Sequence, residues 1–146
     1  MAKGEGLNTD MISRLIDRAI EGMSYAYTPY SDFRVGAALL TESGEIYTGC
    51  NIENAAYTPT NCAERTAFFK AVSEGERHFT AICIVGGKDG KLADYTSPCG
   101  VCRQVMMEFC EPEQFKIILA ISREEYRIYT LKELLPEGFG PARIAR

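Results

Sequence analysis

Apolar residues along this chain fall into two patterns, helical spacing and short continuous runs, and each predicts a kind of element. Ile12, Leu15, Ile16, Ala19, Ile20 and Met23 fall three or four apart, which predicts an amphipathic helix over Thr9 to Tyr27. Thr28-Pro29-Tyr30-Ser31 then breaks the pattern. Val35 to Thr41 is a short apolar run with no helical period, as expected of a buried strand. The turn Glu42-Ser43-Gly44-Glu45 leads into a second strand, Ile46 to Ile52, and the two close a hairpin. Further strands are predicted over Thr80 to Val85, Phe115 to Ile121 and Tyr126 to Thr130. Two helices lie between them, one running to about Glu74 and one over Pro98 to Phe109. Thr130-Leu131-Lys132-Glu133 reads as a capping box that opens a last short helix before Pro136. The order helix, strand, strand, helix, strand, helix, strand, strand, helix predicts an α/β fold with one mixed five-stranded sheet covered by helices.

Length and composition narrow the class. The 146 residues suit a single domain spanning 1–146, and 46% hydrophobic content supports a real core. Sixteen basic against twenty acidic residues give a net charge of −4, with no basic run, which argues against a nucleic-acid partner. No apolar stretch approaches the length needed to cross a membrane. Met1 to Asp10 has no hydrophobic block of the kind a signal peptide carries, so a cytoplasmic location is expected.

Six cysteines in a reducing compartment turn attention from disulfides to metal. Cys62, Cys99 and Cys102 stand out, in Cys62-Ala63-Glu64-Arg65 and Pro98-Cys99-Gly100-Val101-Cys102. Three protein ligands leave one position of a tetrahedral zinc for water, and a carboxylate such as Glu64 can move that water's proton. The pattern matches one described for zinc-dependent nucleobase deaminases, including a three-cysteine variant with a separate Glu. Ser97 as N-cap with Pro98 at the first helical position, and Asn61 as N-cap with Cys62 at the first helical position, would aim two helix N-termini at the metal. Three thiolates around a divalent ion leave a formal charge of about −1, and Arg65 is placed to offset it.

Plainer readings exist. A lone C-x-x-C also occurs in redox pairs and zinc knuckles, and Glu64 could simply close a capping box with Asn61. A fourth cysteine would make the site structural and closed. The remaining three suit that poorly: Cys83 sits in a strand-like apolar run, Cys110 follows a helical pattern, and Cys50 is at a strand end with no evident role. Asn51 and Glu53 alternate along an extended stretch and could clamp sugar hydroxyls, or could form a polar strand exit. Phe33 could stack on a base or join the core. Phe139, on a Gly-flanked tail, suggests contact with a ligand or another subunit. His78 reads as a surface residue.

Beyond these local readings, Asn51-Ile52-Glu53-Asn54-Ala55, Cys62-Ala63-Glu64-Arg65-Thr66-Ala67 and Pro98-Cys99-Gly100-Val101-Cys102-Arg103-Gln104 resemble the short, homotetrameric cytidine deaminases. So do Pro29-Tyr30-Ser31, Val35-Gly36-Ala37-Ala38-Leu39, Glu133-Leu134-Leu135-Pro136 and Phe139-Gly140-Pro141. The resemblance implies a three-layer α/β/α sandwich and one zinc per subunit. It also implies hydrolysis of cytidine and deoxycytidine to uridine and deoxyuridine in pyrimidine salvage. By position, it makes Cys62, Cys99 and Cys102 the zinc ligands and Glu64 the catalytic proton shuttle. Asn51 and Glu53 would hold the ribose 3′ hydroxyl, Phe33 would pack near the base, and the Ala63 backbone would contact the pyrimidine. Arg65 would hydrogen-bond to ligand sulfurs. Phe139 would reach into a neighbouring subunit's site, and Tyr57 would lie near an interface and the substrate. Arg34 departs from the family, which usually has Pro there. Two rival readings are a relative acting on an aminonucleoside antibiotic such as blasticidin S, and a non-catalytic zinc module closed by a fourth cysteine.

Overall fold

The computed structural model describes residues 7–144. The first six residues of the charged opening stretch, and the last two of the expected 1–146 domain, lie outside the described residues. Helix α1 spans Thr9–Met23 and is capped by the Asn8 side chain, which accepts from Met11 N at 2.8 Å. It stops short of the predicted Tyr27 because Tyr27 N donates to Asn51 O at 2.9 Å, drawing that stretch alongside the sheet. The strands are β1 (Phe33–Thr41), β2 (Ile46–Cys50), β3 (Phe79–Lys88), β4 (Lys116–Ala120) and β5 (Tyr126–Thr130). Helices α2 (Ala63–Ser73), α3 (Gly100–Phe109) and α4 (Leu131–Leu134) complete the predicted order. A 3-10 turn at Pro141–Ile144 was not foreseen. Strand β1 begins two residues early and β3 runs three residues late because Phe33 and Lys88 pair with each other. Ile52 leaves β2 to bridge Asn61 instead.

The sheet order is β2-β1-β3-β4-β5, antiparallel except for the parallel pair β3 and β4. The central strands are buried on both faces, and side chains alternate between two cores. Ala38, Leu40, Ala81, Cys83, Val85 and Ile118 face α1. Ala37, Leu39, Ile82, Ile84, Ile117 and Leu119 face α2 and α3. This is the expected three-layer sandwich. Cys83 and Cys110 are packing residues in these cores, as expected. Among the described residues, no helix is long and apolar enough to cross a membrane.

The pairing explains why distant cysteines meet. Strands β2 and β3 both run antiparallel to β1, so they point the same way, and Cys50 and Val85 sit level on either side of Gly36. Helix α2 follows β2 and α3 follows β3. Both helices therefore begin beyond the same sheet edge, where sites gather in α/β folds. Gly49 sets the distance of α2. A Cβ there would lie 2.3 Å from Ala63 O and 2.6 Å from Ala67 N, so only glycine lets the helix start settle onto β2.

Candidate metal centre

Cys62 and Cys99 are themselves the N-caps of α2 and α3, each with extended backbone. This corrects two expectations. Ser97-Pro98 lies before the helix rather than opening it, and Cys62 sits one position outside its helix. Asn61 does not cap, because its amide donates to Thr66 Oγ1 at 3.0 Å, so the Asn61–Glu64 capping box is absent. Both caps place a sulfur at a helix N-terminus, but only the Cys99 sulfur accepts a backbone N–H, since the Cys62 side chain makes no cap hydrogen bond. Cys99 Sγ accepts from Cys102 N at 3.5 Å. The helix N-termini add partial positive charge that favours thiolate.

The three sulfurs of Cys62, Cys99 and Cys102 lie within 4.8 Å of one another, and no other group of metal donors occurs among the described residues. Cys62 Sγ and Cys99 Sγ are 3.7 Å apart. Two thiolates at about 2.3 Å from a tetrahedral zinc would be separated by about 3.8 Å, so the spacing fits that ion. Arg65 Nη2 donates to Cys62 Sγ at 3.1 Å. Arg65 Nε is buried without a hydrogen-bond partner. Burial alone would weaken that cation. Its bonds to the Cys62 and Cys102 sulfurs hold it above the ordinary arginine value. A hydrogen bond from Cys102 pulls the Cys62 thiol down to about 5. Burial opposes this, and Arg65 and Cys99 reinforce it. Cys102 moves the other way, raised by the same hydrogen bond and by its own burial.

Glu64, on the first turn of α2, is 4% exposed. Burial pushes its carboxyl up to about 7, the Cys62 thiolate adds to the rise, and Arg65 opposes it. A buried carboxyl that titrates near neutrality beside three thiols suits proton transfer.

These observations share one family. Residues 9–118 match the family model described as Cytidine and deoxycytidylate deaminase zinc-binding region. This chain belongs to the cytidine and deoxycytidylate deaminase family. It is similar to a cytidine deaminase of Sporosarcina psychrophila, with 49% identity over 88% of this chain and 90% of that protein. One from Halalkalibacterium halodurans is also 49% identical, over 86% of this chain and 91% of that protein. The crystal structure of cytidine deaminase from Burkholderia pseudomallei superposes with a TM-score of 0.79 at 43% identity, covering 86% of this chain and 97% of that one. The Mycobacterium tuberculosis structure gives 0.76 at 36%, covering 92% and 98%. Zinc is the family's metal, and the sulfur cluster is the place in this chain that suits it.

The remaining candidates divide. Ile52 N and O exchange hydrogen bonds with Asn61, which pairs the stretch holding Asn51 and Glu53 with the segment that leads into Cys62. The Asn51 amide bonds Phe33 O at 2.8 Å and accepts from Val35 N at 2.9 Å, so it also ties the Phe33 backbone to this corner. Glu53 accepts from Tyr30 N, Ser31 N and Ser31 Oγ. The Ser31 hydroxyl, ahead of the backbone bonds, holds its carboxyl below the usual range. Phe33 is half-exposed rather than core, and Ala63 is fully buried at the helix start. Tyr57, at φ 63°, is exposed with its ring against Tyr30. Phe139 is exposed, and its carbonyl is held by Gln104. Arg34 Nη1 reaches Ser24 O at 3.2 Å. Cys50 is half-buried and its thiol is raised by burial. His78 is exposed, 3.9 Å from Glu42.

Proposed function

We propose that this chain hydrolyses cytidine and deoxycytidine to uridine and deoxyuridine with release of ammonia, through Glu64 and a zinc ion held by Cys62, Cys99 and Cys102. The observation that carries this reading is the buried Glu64 carboxyl, raised to about 7, beside a three-sulfur cluster that has no fourth donor among the described residues. Zinc held there would supply a Lewis acid that makes a water nucleophilic near neutral pH. Glu64 takes a proton from the attacking water as the water's oxygen bonds to the ring carbon bearing the amine. Glu64 delivers that proton to the ring nitrogen, takes a second from the hydroxyl now on the carbon and passes it to the departing amine, so that the carbon–nitrogen bond breaks, the ring carbonyl forms and ammonia leaves. A carboxyl that titrates close to neutrality both accepts and donates at low cost. Arg65 offsets the thiolate charge through Cys62.

Glu53, ionised and acceptor-only, and Asn51, with donor and acceptor atoms, hold the ribose. Phe33 packs near the base, and the Ala63 backbone contacts the pyrimidine. Tyr57 lies at a subunit interface, and Phe139 completes a neighbour's site in a homotetramer. The whole chain acts as one catalytic domain, cytoplasmic, in pyrimidine salvage. The test is the ultraviolet absorbance change when zinc-loaded protein meets cytidine, deoxycytidine and free cytosine. We expect turnover of both nucleosides and little of cytosine, which offers no sugar to hold. Silence with all three, in protein shown to carry zinc, would overturn the proposal.

A further inference from the structure

Directly after Cys102, helix α3 commits two polar side chains to groups outside the helix. Arg103 Nε donates to Pro98 O at 2.8 Å, Nη2 to Ser97 Oγ at 2.8 Å and Nη1 to Leu134 O at 2.5 Å. Gln104 Nε2 donates to Phe139 O at 2.8 Å. The two groups on one side of Arg103 immediately precede Cys99. The carbonyls of Leu134 and Phe139 bracket a turn in which Glu137 takes a left-handed φ of 56°. Beyond that turn, a Cβ on Gly140 would lie 2.9 Å from Met107 Cε, so the tail seats closely on α3. The Phe139 ring is therefore carried on a braced arm, not on the loose tail its flanking glycines suggest.

We propose that Arg103 is a positioning residue that fixes the Cys99 loop and the Phe139 arm to the same helix, with Gln104 fixing the arm alone. The planar guanidinium reaches three acceptors in different directions, which a lysine ammonium on one stem does not. Loss of Arg103 frees the Pro98 carbonyl and loosens the chain that sets the Cys99 sulfur. It also frees the near end of the arm. The arm's effect on substrate rests on the proposed function, whereas the effect on the sulfur cluster does not.

The experiment uses zinc-loaded wild type, Arg103→Ala, Arg103→Lys, Gln104→Ala, Phe139→Ala, and each of the Arg103→Ala and Gln104→Ala changes combined with Phe139→Ala. Zinc loss from folded protein to a chelating indicator gives one readout, and KM and kcat for cytidine give the other. Arg103→Ala should release zinc roughly 10- to 100-fold faster, the usual effect of losing a partner that orients a ligand. Arg103→Lys should fall between it and wild type, and it decides the question if Arg103→Ala does not fold. Gln104→Ala should raise KM about 5-fold, the worth of one hydrogen bond, with zinc release unchanged. Neither change should raise KM further once Phe139 is already alanine. Zinc release within about twofold of wild type in both Arg103 variants would overturn the proposal. So would KM increases that persist undiminished without Phe139. If wild type never turns over cytidine, the functional reading falls, and zinc release alone then decides the role of Arg103.

Discussion

Glu64→Gln in the metal-free protein isolates the energetic cost of the buried carboxyl. The folded-state value of Glu64 is raised from 4.5 to about 7, chiefly by burial. Below pH 4.5 the group is protonated in both folded and unfolded chains, and its neutral form costs nothing. As pH rises toward 7 the unfolded chain releases its proton while the folded one keeps it, so stability falls. Above 7 the folded protein holds a desolvated carboxylate. About 2.5 pH units at 1.36 kcal/mol each amount to about 3 kcal/mol. Glutamine has the same shape and no titration. Metal-free Glu64→Gln should therefore gain about 3 kcal/mol on wild type between pH 4 and pH 8. Cys62, held down at about 5, contributes an opposite slope in both proteins, and the part of the Glu64 rise that its thiolate causes belongs to the gap. Urea unfolding of the pair in chelator and reductant, across that pH range, reads the gap directly. Zinc loading should narrow it, because a nearby cation stabilises the carboxylate. A gap that does not change with pH would refute the reasoning.

Three further outcomes are expected. Gly49→Ala forces a Cβ against Ala63 O and Ala67 N, so it should cost about 1–3 kcal/mol or more in urea unfolding and lower zinc content. Phe68→Ala removes a fully buried ring packed 5.1 Å from Phe79 and should cost about 3–5 kcal/mol by the same assay. Asn51→Ala loses both bonds to the Phe33–Val35 backbone and should raise the KM for cytidine and for deoxycytidine, with zinc content unchanged, measured side by side.

Much of the fold was legible because its signals are local. The period of α1, the apolar runs of the inner strands and the Thr130–Glu133 capping box all depend on neighbours within a few residues. The cluster was legible because Cys62 and Cys99 each open a helix after a strand. Helix starts were misplaced for a chemical reason. Capping rules favour Asn61 and Ser97, whereas here a cysteine occupies each cap, and only the Cys99 sulfur takes a backbone N–H there. Strand ends and the stop of α1 depend on long-range partners, Lys88 for Phe33 and Asn51 for Tyr27, which no local pattern reveals. The triple grip of Arg103 was hidden likewise, since Leu134 lies 31 residues away. A helix arginine beside a ligand cysteine was the only available signal.

The central claim is that Glu64 moves protons at a three-sulfur zinc site. Its most direct test is cytidine turnover by Glu64→Gln with zinc content measured on the same sample. The account predicts full zinc and turnover reduced by about 10²-fold or more, the usual worth of a positioned acid–base group. Near-normal turnover at full zinc would contradict it.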